Sequence, residues 1–274
     1  MELEIFNLEK IQKKIKIVEN LLHGKKILVA FSGGVDSSVV SFLASQYAKE
    51  VLLVMQDGLS VGIGEKDFAV KQAKQLGISL EVIEYNEIDY SDEYQRNPEN
   101  RCYYCKQVLH EFLDEIKEDR NFDLVISGTN YSDLKGHRPG HVATLEKGVV
   151  NPMVIAKITK QEVRWIAEIN GLISFDRPAT ACLASRFKTG VEITKEGLLR
   201  VAKSEDFIKS EFKLKSIRVR DDGQDIARIE FMKEDLILIK NTRMVDMIRE
   251  KLRSYGYDKI ILDKIGYRPN VPSI

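Results

Sequence analysis

The fold is decided by residues 26–37, which read KILVAFSGGVDS. Residues 26–31 are mostly apolar and rich in β-formers, which is typical of a strand buried inside a sheet. A Ser-Gly-Gly turn follows, and residues 37–48 have the composition of a helix. Glycines let backbone N–H groups approach an anion, and a helix start adds free N–H groups and the positive end of its dipole. This order predicts a phosphate-binding loop, although a plain strand-to-helix turn has the same outline.

Strands and helices alternate on both sides of this loop. We predict further strands over residues 51–55, 80–85 and 124–127. We predict further helices over residues 3–22, 65–76 and 104–118. The alternation predicts an α/β fold, with a parallel sheet that has helices on both faces. Ligands of such sheets bind at the carboxyl ends of the strands, so we expect three segments to meet at one crevice: residues 32–37, 55–58 and 127–130.

The second half of the chain changes character. Residues 130–158 carry several Gly and Pro between short apolar pieces, which predicts irregular structure or a hairpin. Thr159 can cap the helix that follows it. Apolar and basic residues alternate over 217–220, then an Asp-Asp-Gly turn leads into a second alternating stretch, and this is the pattern of a hairpin. The last predicted elements are a helix near 243–255 and a strand near 258–262.

Length and composition limit the domain organisation and the class of protein. A chain of 274 residues is longer than one average domain and shorter than two large ones. Because the composition changes after about residue 185, we predict an α/β domain over 1–187 and a small α+β domain over 188–274. Hydrophobic residues make up 43% and charged residues 31%, which is typical of a globular enzyme and argues against disorder.

Charge and cysteine content limit the partners. Lys+Arg and Asp+Glu both count 42, which argues against a nucleic-acid partner because such binding usually leaves a basic excess. The N-terminus lacks the features of a signal peptide, and no apolar run approaches the ~20 residues of a membrane span. We therefore expect a cytoplasmic protein with no membrane partner. The three cysteines suggest metal binding or redox chemistry before a disulfide scaffold.

The string SGGVDS over 32–37 resembles the PP-loop of the ATP pyrophosphatase superfamily. The Walker A pattern is absent, because no Gly-Lys-Ser/Thr follows the loop. The resemblance implies an adenine nucleotide α-hydrolase-like fold and cleavage of ATP to AMP and pyrophosphate. Taken alone, the motif is specific to the superfamily and silent on the substrate.

Further strings narrow the resemblance. They are SGTNYSD (127–133), RPG (138–140), PATACLASR (178–186), RVR (218–220) and GYR (266–268). Together they resemble the LarE family over nearly the whole chain. LarE enzymes are ATP-dependent sulfur transferases that build the nickel-pincer nucleotide cofactor. The resemblance implies a small nucleotide substrate, in which a carboxylate of a pyridinium mononucleotide is adenylated and sulfur then displaces AMP. It also implies a homo-oligomer.

The resemblance assigns a role to particular residues. Those expected to hold the ATP phosphates are Ser32, Gly33, Gly34, Asp36 and Ser37. Met55 and Gly128 lie where the superfamily contacts adenine, and Asp133 lies where related synthetases place a metal-binding acid. Asp36 is a candidate to orient the loop or to help hold Mg²⁺. For Asp133 the alternative is a side chain that caps a turn.

A second set of residues belongs to the sulfur step. Cys182 matches the sulfur-donating cysteine of the family. Residues expected to surround the anionic substrate and leaving groups are Ser185, Arg186, Arg218 and Arg220, with Lys106 as a further cation. The alternative for Arg218 and Arg220 is a solvated strand face.

The cysteines depart from the simpler LarE pattern, in which one cysteine gives up its own sulfur and the protein is spent. This chain adds Cys102 and Cys105, in a Cys-x-x-Cys predicted to lie in a loop. Three thiolates with one open iron position suit a [4Fe–4S] cluster. The alternatives are a sacrificial Cys182, a zinc site with His110 or His141 as fourth ligand, a Cys102–Cys105 redox pair, and three unrelated cysteines.

Proteins with other functions also carry this loop, and three of these functions are alternatives. A tRNA thiolation enzyme would be expected to carry a basic surface or an added RNA-binding domain. An ammonia- or glutamine-dependent amide synthetase would leave the cysteines without a role. An adenine-nucleotide sensor on the same fold would bind ATP without turnover.

Overall fold

A computed structural model describes residues 2–135, 139–178 and 180–267. The helices are α1 (Glu2–Leu22), α2 (Val35–Tyr47), α3 (Glu65–Leu76), α4 (Asp92–Gln95), α5 (Arg101–Asp119), α6 (Pro139–Glu146), α7 (Pro152–Ile155), α8 (Lys160–Ile169), α9 (Lys195–Phe212) and α10 (Thr242–Ser254). The strands are β1 (Lys26–Ala30), β2 (Glu50–Asp57), β3 (Ser79–Glu84), β4 (Leu124–Ser127), β5 (Ile217–Asp221), β6 (Ile226–Phe231) and β7 (Lys259–Leu262). Three residues of the strings quoted above lie outside the described residues: Arg138, Ala179 and Arg268.

The chain divides into two compact units. The first unit comprises Met1–Asp57, Gly64–Tyr85 and Cys102–Thr180, and the second comprises Gly58–Ile63, Asn86–Arg101 and Ala181–Ile274. The last junction therefore falls at 180/181, a few residues before the predicted boundary at 187. Two earlier segments, which the sequence pattern assigned to the first domain, belong to the second unit. Each unit is described by itself below.

The first unit contains a four-stranded parallel sheet in the order β3-β2-β1-β4. Ala30, the last residue of β1, pairs in register with Val54 of β2 and with Ser127 of β4. The strand order reverses between β1 and β4. In open parallel sheets this reversal is the place where a crevice opens beyond the carboxyl ends of the strands.

Helices cover both faces of this sheet, as predicted. On one face Leu28 and Val125 form a buried cluster with Leu109 and Leu113 of α5. Side chains of neighbouring strand residues point to opposite faces, so Ile27 lies on the other side. There α2 contacts β1 and β2, and α1 and α8 pack against α2. The α/β prediction is confirmed.

The segment between β4 and α8 corrects a prediction. Its described residues form a 3₁₀ turn (Tyr131–Leu134), then α6 and α7, and not a hairpin. It contacts the sheet through a bridge between Ile126 and Val150 and through Val149, which lies in the buried cluster with Leu28. Pro152 occupies the first turn of α7, where its missing N–H is harmless, so this proline starts a helix instead of breaking one.

The second unit contains a three-stranded sheet in the order β5-β6-β7. β5 and β6 form the predicted antiparallel hairpin, and β7 adds parallel to β6. Ile217, Val219 and Ile229 lie in a buried cluster with Ile248 and Leu252 of α10. None of the helices in the described residues is long and apolar enough to cross a membrane.

Candidate active site

The glycine loop joins the end of β1 to α2. Gly33 has φ of +72°, a left-handed conformation that favours glycine. A Cβ at Gly33 would also lie 3.0 Å from the Cα and the Cβ of Ala69 in α3. Gly34 precedes α2 in extended conformation. The loop can therefore turn tightly and leave its N–H groups close to an incoming anion.

Two serine hydroxyls hold the loop in shape. Ser37 Oγ donates to the Gly34 carbonyl over 3.0 Å and lies 3.2 Å from Ser32 Oγ. The Ser32 N–H donates to Ser37 Oγ over 3.3 Å. These bonds close the loop on itself, so its geometry is organised before any ligand arrives.

The end of β4 lies directly against this loop. A Cβ at Gly128 would lie 2.6 Å from the Ser37 nitrogen and 2.8 Å from the carbonyl carbon of Asp36. The close approach explains the need for glycine at position 128. Met55, the other residue predicted to contact adenine, is 3% exposed within β2, where it pairs in register with Val82. The adenine roles of Gly128 and Met55 stay predictions.

Asp36 has two polar partners in the first unit. Its Oδ2 forms an ion pair with Lys160 Nζ, and its Oδ1 accepts a hydrogen bond from Asn130 Nδ2 over 3.1 Å. Asp133 Oδ2 accepts from the Asn130 N–H over 3.1 Å and from its Nδ2 over 2.6 Å, and Asn130 Oδ1 accepts from the Ser132 N–H over 2.9 Å, so the turn carries a capping box. Asp133 thus makes the turn-capping contact that was its alternative, and metal binding by it stays a prediction.

Sequence reasoning missed Asn130 and Lys160. Asn130 was inside a quoted string and could have been singled out, because an amide between two carboxylates is a common link. Lys160 carried no signal, because its contact with Asp36 spans 124 positions of the chain.

Cys102 and Cys105 lie in the first two turns of α5, so their prediction as loop residues is wrong. The helix begins at Arg101, three residues earlier than predicted, and the Arg101 N–H donates to the Pro98 carbonyl in the turn before it. Residues three apart share one face of a helix. Cys102 is exposed and Cys105 half-buried.

Gly140 of the RPG string lies against this part of α5. A Cβ at Gly140 would lie 3.2 Å from the Cys102 carbonyl oxygen and 3.3 Å from Lys106 Cγ. The start of α6 therefore packs on the first turns of α5. Lys106 is half-buried there.

Cys182 belongs to the second unit and is exposed. It immediately precedes a 3₁₀ turn (Leu183–Arg186), and the Leu183 N–H donates to the Ser60 carbonyl over 2.8 Å. Arg186 is 1% exposed, and its Nη1 donates to the carbonyls of Ala181 and Cys182 over 3.0 and 3.3 Å. A buried guanidinium therefore holds the backbone that carries this thiol.

Carboxylates already pair two of the predicted arginines. Arg186 donates from Nε and Nη2 to the two oxygens of Glu205 over 2.8 and 3.1 Å. Arg220 Nε donates to Glu230 over 2.9 Å, and its Nη1 donates to the Ser185 carbonyl over 2.8 Å. Both arginines thus brace the segment around Ser185. Their direct contact with a substrate stays a prediction.

Arg218 differs from both. It is 8% exposed, and no carboxylate of the described residues lies within ion-pair distance of it. It donates to Ser216 Oγ and to the Ile217 carbonyl, and its guanidinium lies 5.2 Å from the Tyr267 ring centre. Burial, and then the charge of Arg186, lower the pKa of Arg218. The solvated-face alternative is wrong for Arg218 and for Arg220, because both side chains are buried.

The described residues offer no assembled metal centre. No group of three or more His, Cys, Asp or Glu side chains among them could hold a metal ion, and none of the three cysteines forms a disulfide. His110 is buried, with Nε2 3.1 Å from Thr144 Oγ1, and burial lowers its pKa to about 4. Cys102, Cys105 and His110 belong to the first unit and Cys182 to the second, and a metal site that joins the three cysteines stays a prediction.

A parallel sheet whose central strand leads through the string SGGVDS into a helix places the chain in a class, the PP-loop α/β enzymes. Residues 18–108 match the asparagine synthase family. Uncharacterized proteins of Synechocystis sp. and Methanocaldococcus jannaschii are 35% and 34% identical to the chain, over 89% and 94% of it and 90% and 98% of their own lengths. The pyridinium-3,5-bisthiocarboxylic acid mononucleotide synthase of Lactiplantibacillus plantarum is 29% identical over 93% of the chain and 92% of its own length.

The chain belongs to the LarE family and is an ATP-dependent sulfurtransferase. The resemblance inferred from the sequence strings is thereby confirmed.

Proposed function

We propose that this enzyme adenylates a carboxylate of a pyridinium mononucleotide, releases pyrophosphate, and then replaces the adenylate by sulfur. The name of the Lactiplantibacillus plantarum relative supports the substrate class. The observation that carries the sulfur step is the exposed Cys182, whose backbone carbonyl accepts from the buried Arg186. We extend the proposal to a cytoplasmic homo-oligomer, as the family resemblance implies.

Adenylation would take place at the loop of residues 32–37. A carboxylate oxygen attacks the α-phosphorus of ATP, the bond from that phosphorus to the pyrophosphate oxygen breaks, and pyrophosphate leaves with the electron pair. The loop N–H groups and the start of α2 stabilise the departing charge. Residues proposed to hold ATP are Ser32, Gly33, Gly34, Asp36, Ser37, Met55 and Gly128. Asp36 would hold Mg²⁺, with Asp133 as a second candidate, and the ion would neutralise phosphate charge when bound.

Sulfur transfer would follow at Cys182. Its sulfur attacks the acyl carbon and releases its proton to solvent, and the bond from that carbon to the AMP oxygen breaks. AMP leaves and a thioester remains. Loss of the Cys182 Cα proton with cleavage of the Cβ–Sγ bond then leaves dehydroalanine in the protein and a thiocarboxylate on the substrate.

Arg218 is the residue best suited to bind an anion, because it is a buried cation without a carboxylate partner among the described residues. Lys106, Ser185 and Arg220 are further candidates.

The source of the transferred sulfur is the more specific part of the proposal, and it concerns the three cysteines. Cys102, Cys105 and Cys182 are soft donors of the type that hold a [4Fe–4S] cluster, which would supply the sulfide for repeated turnover. Cys102 and Cys105 belong to the first unit and Cys182 to the second, so we name these three thiols as the residues that would hold the cluster and derive no step through it. The sacrificial route needs Cys182 alone.

One experiment tests the adenylation step. The protein is incubated with ATP, Mg²⁺ and pyridinium-3,5-biscarboxylic acid mononucleotide, and the nucleotide products are separated. We expect AMP and pyrophosphate. ADP with phosphate would contradict the proposal. A Cys182→Ala variant should still release pyrophosphate but form no thiocarboxylate, since its loop is unchanged.

A second experiment separates the two sulfur sources. Iron and sulfide are measured after anaerobic purification and reconstitution, and intact mass is measured after one turnover. If a cluster supplies the sulfur, the wild type should retain iron, Cys102→Ala should lose it, and the protein mass should not change after turnover. The sacrificial route predicts no retained iron and a mass loss of one hydrogen sulfide at Cys182.

A further inference from the structure

Lys160 faces the nucleotide loop from the start of α8. Its ammonium pairs with Asp36, the only acidic residue in the first turn of α2. The Lys160 and Asp36 side chains are 35% and 30% exposed, so neither is locked in the protein interior. Polyphosphate bound at the loop would bring its negative charge beside Asp36, and Lys160 is the cation that already lies there.

Two contacts fix the start of α8, and with it the backbone of Lys160, at this edge of the sheet. The Lys160 N–H donates to Ser132 Oγ over 3.0 Å, and the Tyr131 N–H donates to the Ile158 carbonyl over 2.8 Å. Both contacts join the start of α8 to the turn that follows β4. Lys160 therefore sits beside the point where β1 and β4 diverge, where ligands of parallel sheets bind.

The first turn of α8 is held from its other side as well. Thr159 and Glu162 form a reciprocal capping box, and both oxygens of Glu162 accept from Lys14 of α1 over 2.7 Å. A helix start anchored at its cap and at its third residue moves little. The flexible part is the Lys160 side chain itself, whose four-carbon stem can swing its ammonium between neighbouring anions.

We propose that Lys160 is a phosphate-binding cation that pairs with Asp36 only while the nucleotide is absent. When ATP enters, the ammonium moves to the polyphosphate and Asp36 becomes available to Mg²⁺. The exchange keeps the charge of Asp36 balanced in both states, and it makes tight binding depend on Mg²⁺. This inference rests on the proposed ATP site at residues 32–37.

The test uses the full chain and measures the ATP dissociation constant by calorimetry, with Mg²⁺ and with EDTA. Loss of one charge-assisted contact predicts that Lys160→Met weakens binding about tenfold or more in both conditions, and that Lys160→Arg restores most of it. Asp36→Asn should tighten Mg²⁺-free binding, because it frees Lys160 and removes a repulsive charge, and it should reduce the gain from Mg²⁺.

Lys26→Met is the matched control. Lys26 forms a similar ion pair with Glu50, 33% and 50% exposed, at the opposite edge of the sheet where β1 begins. This variant should bind ATP like the wild type. Equal affinities of Lys160→Met and Lys26→Met would overturn the inference. Weaker ATP binding by Asp36→Asn without Mg²⁺ would also overturn the inference, because it would show that the ion pair with Lys160 only supports the loop. If the wild type itself binds no ATP, it is the proposed function that fails.

Discussion

Gly128 supports the sharpest prediction, because one added carbon there would press on the backbone of the nucleotide loop. In Gly128→Ala the new Cβ would lie 2.6 Å from the Ser37 nitrogen and 2.8 Å from the Ser37 Cα and the Asp36 carbonyl carbon. Favourable contacts between carbon atoms lie at about 3.5–4.0 Å, so β4 and the loop must separate by roughly 0.5–1 Å. All three atoms are backbone atoms, so no side-chain rotation relieves the contact.

The magnitude follows from this displacement. Overpacking of this kind costs about 1–3 kcal/mol of the free energy of unfolding. A loop moved this far loses at least one N–H bond to phosphate, worth about 1.5–3 kcal/mol, so ATP affinity should fall about 10- to 100-fold. Urea unfolding followed by circular dichroism measures the first effect, and calorimetric titration with Mg²⁺ and ATP measures the second.

Gly34→Ala is the control for stability. Gly34 has φ of −70°, and its added Cβ would meet only Ser32 Oγ at 3.4 Å, an ordinary contact. Its urea midpoint should match that of the wild type. The reasoning is refuted if Gly128→Ala also unfolds at the wild-type midpoint and binds ATP with wild-type affinity.

Three further predictions concern buried charge. Arg186→Met should cost about 3–5 kcal/mol of the free energy of unfolding, because it leaves Glu205 buried and unpaired, and adding Glu205→Gln should recover part of it; urea unfolding measures both. Arg218→Met should stay within about 1 kcal/mol of the wild type in the same assay, since replacing a buried charge by an apolar side chain is often neutral, yet it should lose thiocarboxylate formation. Burial lowers the pKa of His110 from 6.5 to about 4, so on acidification the unfolded chain takes up a proton at this histidine before the folded chain does. The free energy of unfolding should therefore fall between pH 6.5 and 4, by up to about 3 kcal/mol. In His110→Gln the free energy of unfolding should depend less on pH over this range.

The nucleotide half of the molecule could be predicted because its signals are local. Residues 26–31 are an apolar run, and Gly33 and Gly34 follow at once, so the strand, the turn and the helix are all encoded within a dozen neighbouring positions. A parallel sheet then follows from alternation of strands and helices. The capping of α8 by Thr159 is equally local, since its partner Glu162 lies three residues away.

The features that sequence reasoning missed or left open depend on distant partners. The alternating string at 217–220 has the period of a half-exposed strand, but Arg220 is buried because Glu230 of the neighbouring strand balances its charge. The ion pair of Asp36 with Lys160 joins two helices that the fold brings together. Such pairings are set by tertiary packing, which no residue pattern within one element encodes.

The contrast between Arg186 and Arg218 then bears on function. The charge of Arg186 is balanced by Glu205, and its Nη1 donates to Ser185 Oγ and to the Ala181 and Cys182 carbonyls. Arg218 is also buried, and the charge of Glu205 raises its pKa from a distance, but its direct described partners are a hydroxyl, a carbonyl and an aromatic ring. Burying an unbalanced cation is unfavourable, and an arriving anion would remove that cost. In the second unit, therefore, we propose that Arg186 holds the backbone of Cys182 and that Arg218 binds a phosphate or carboxylate of the acyl-adenylate.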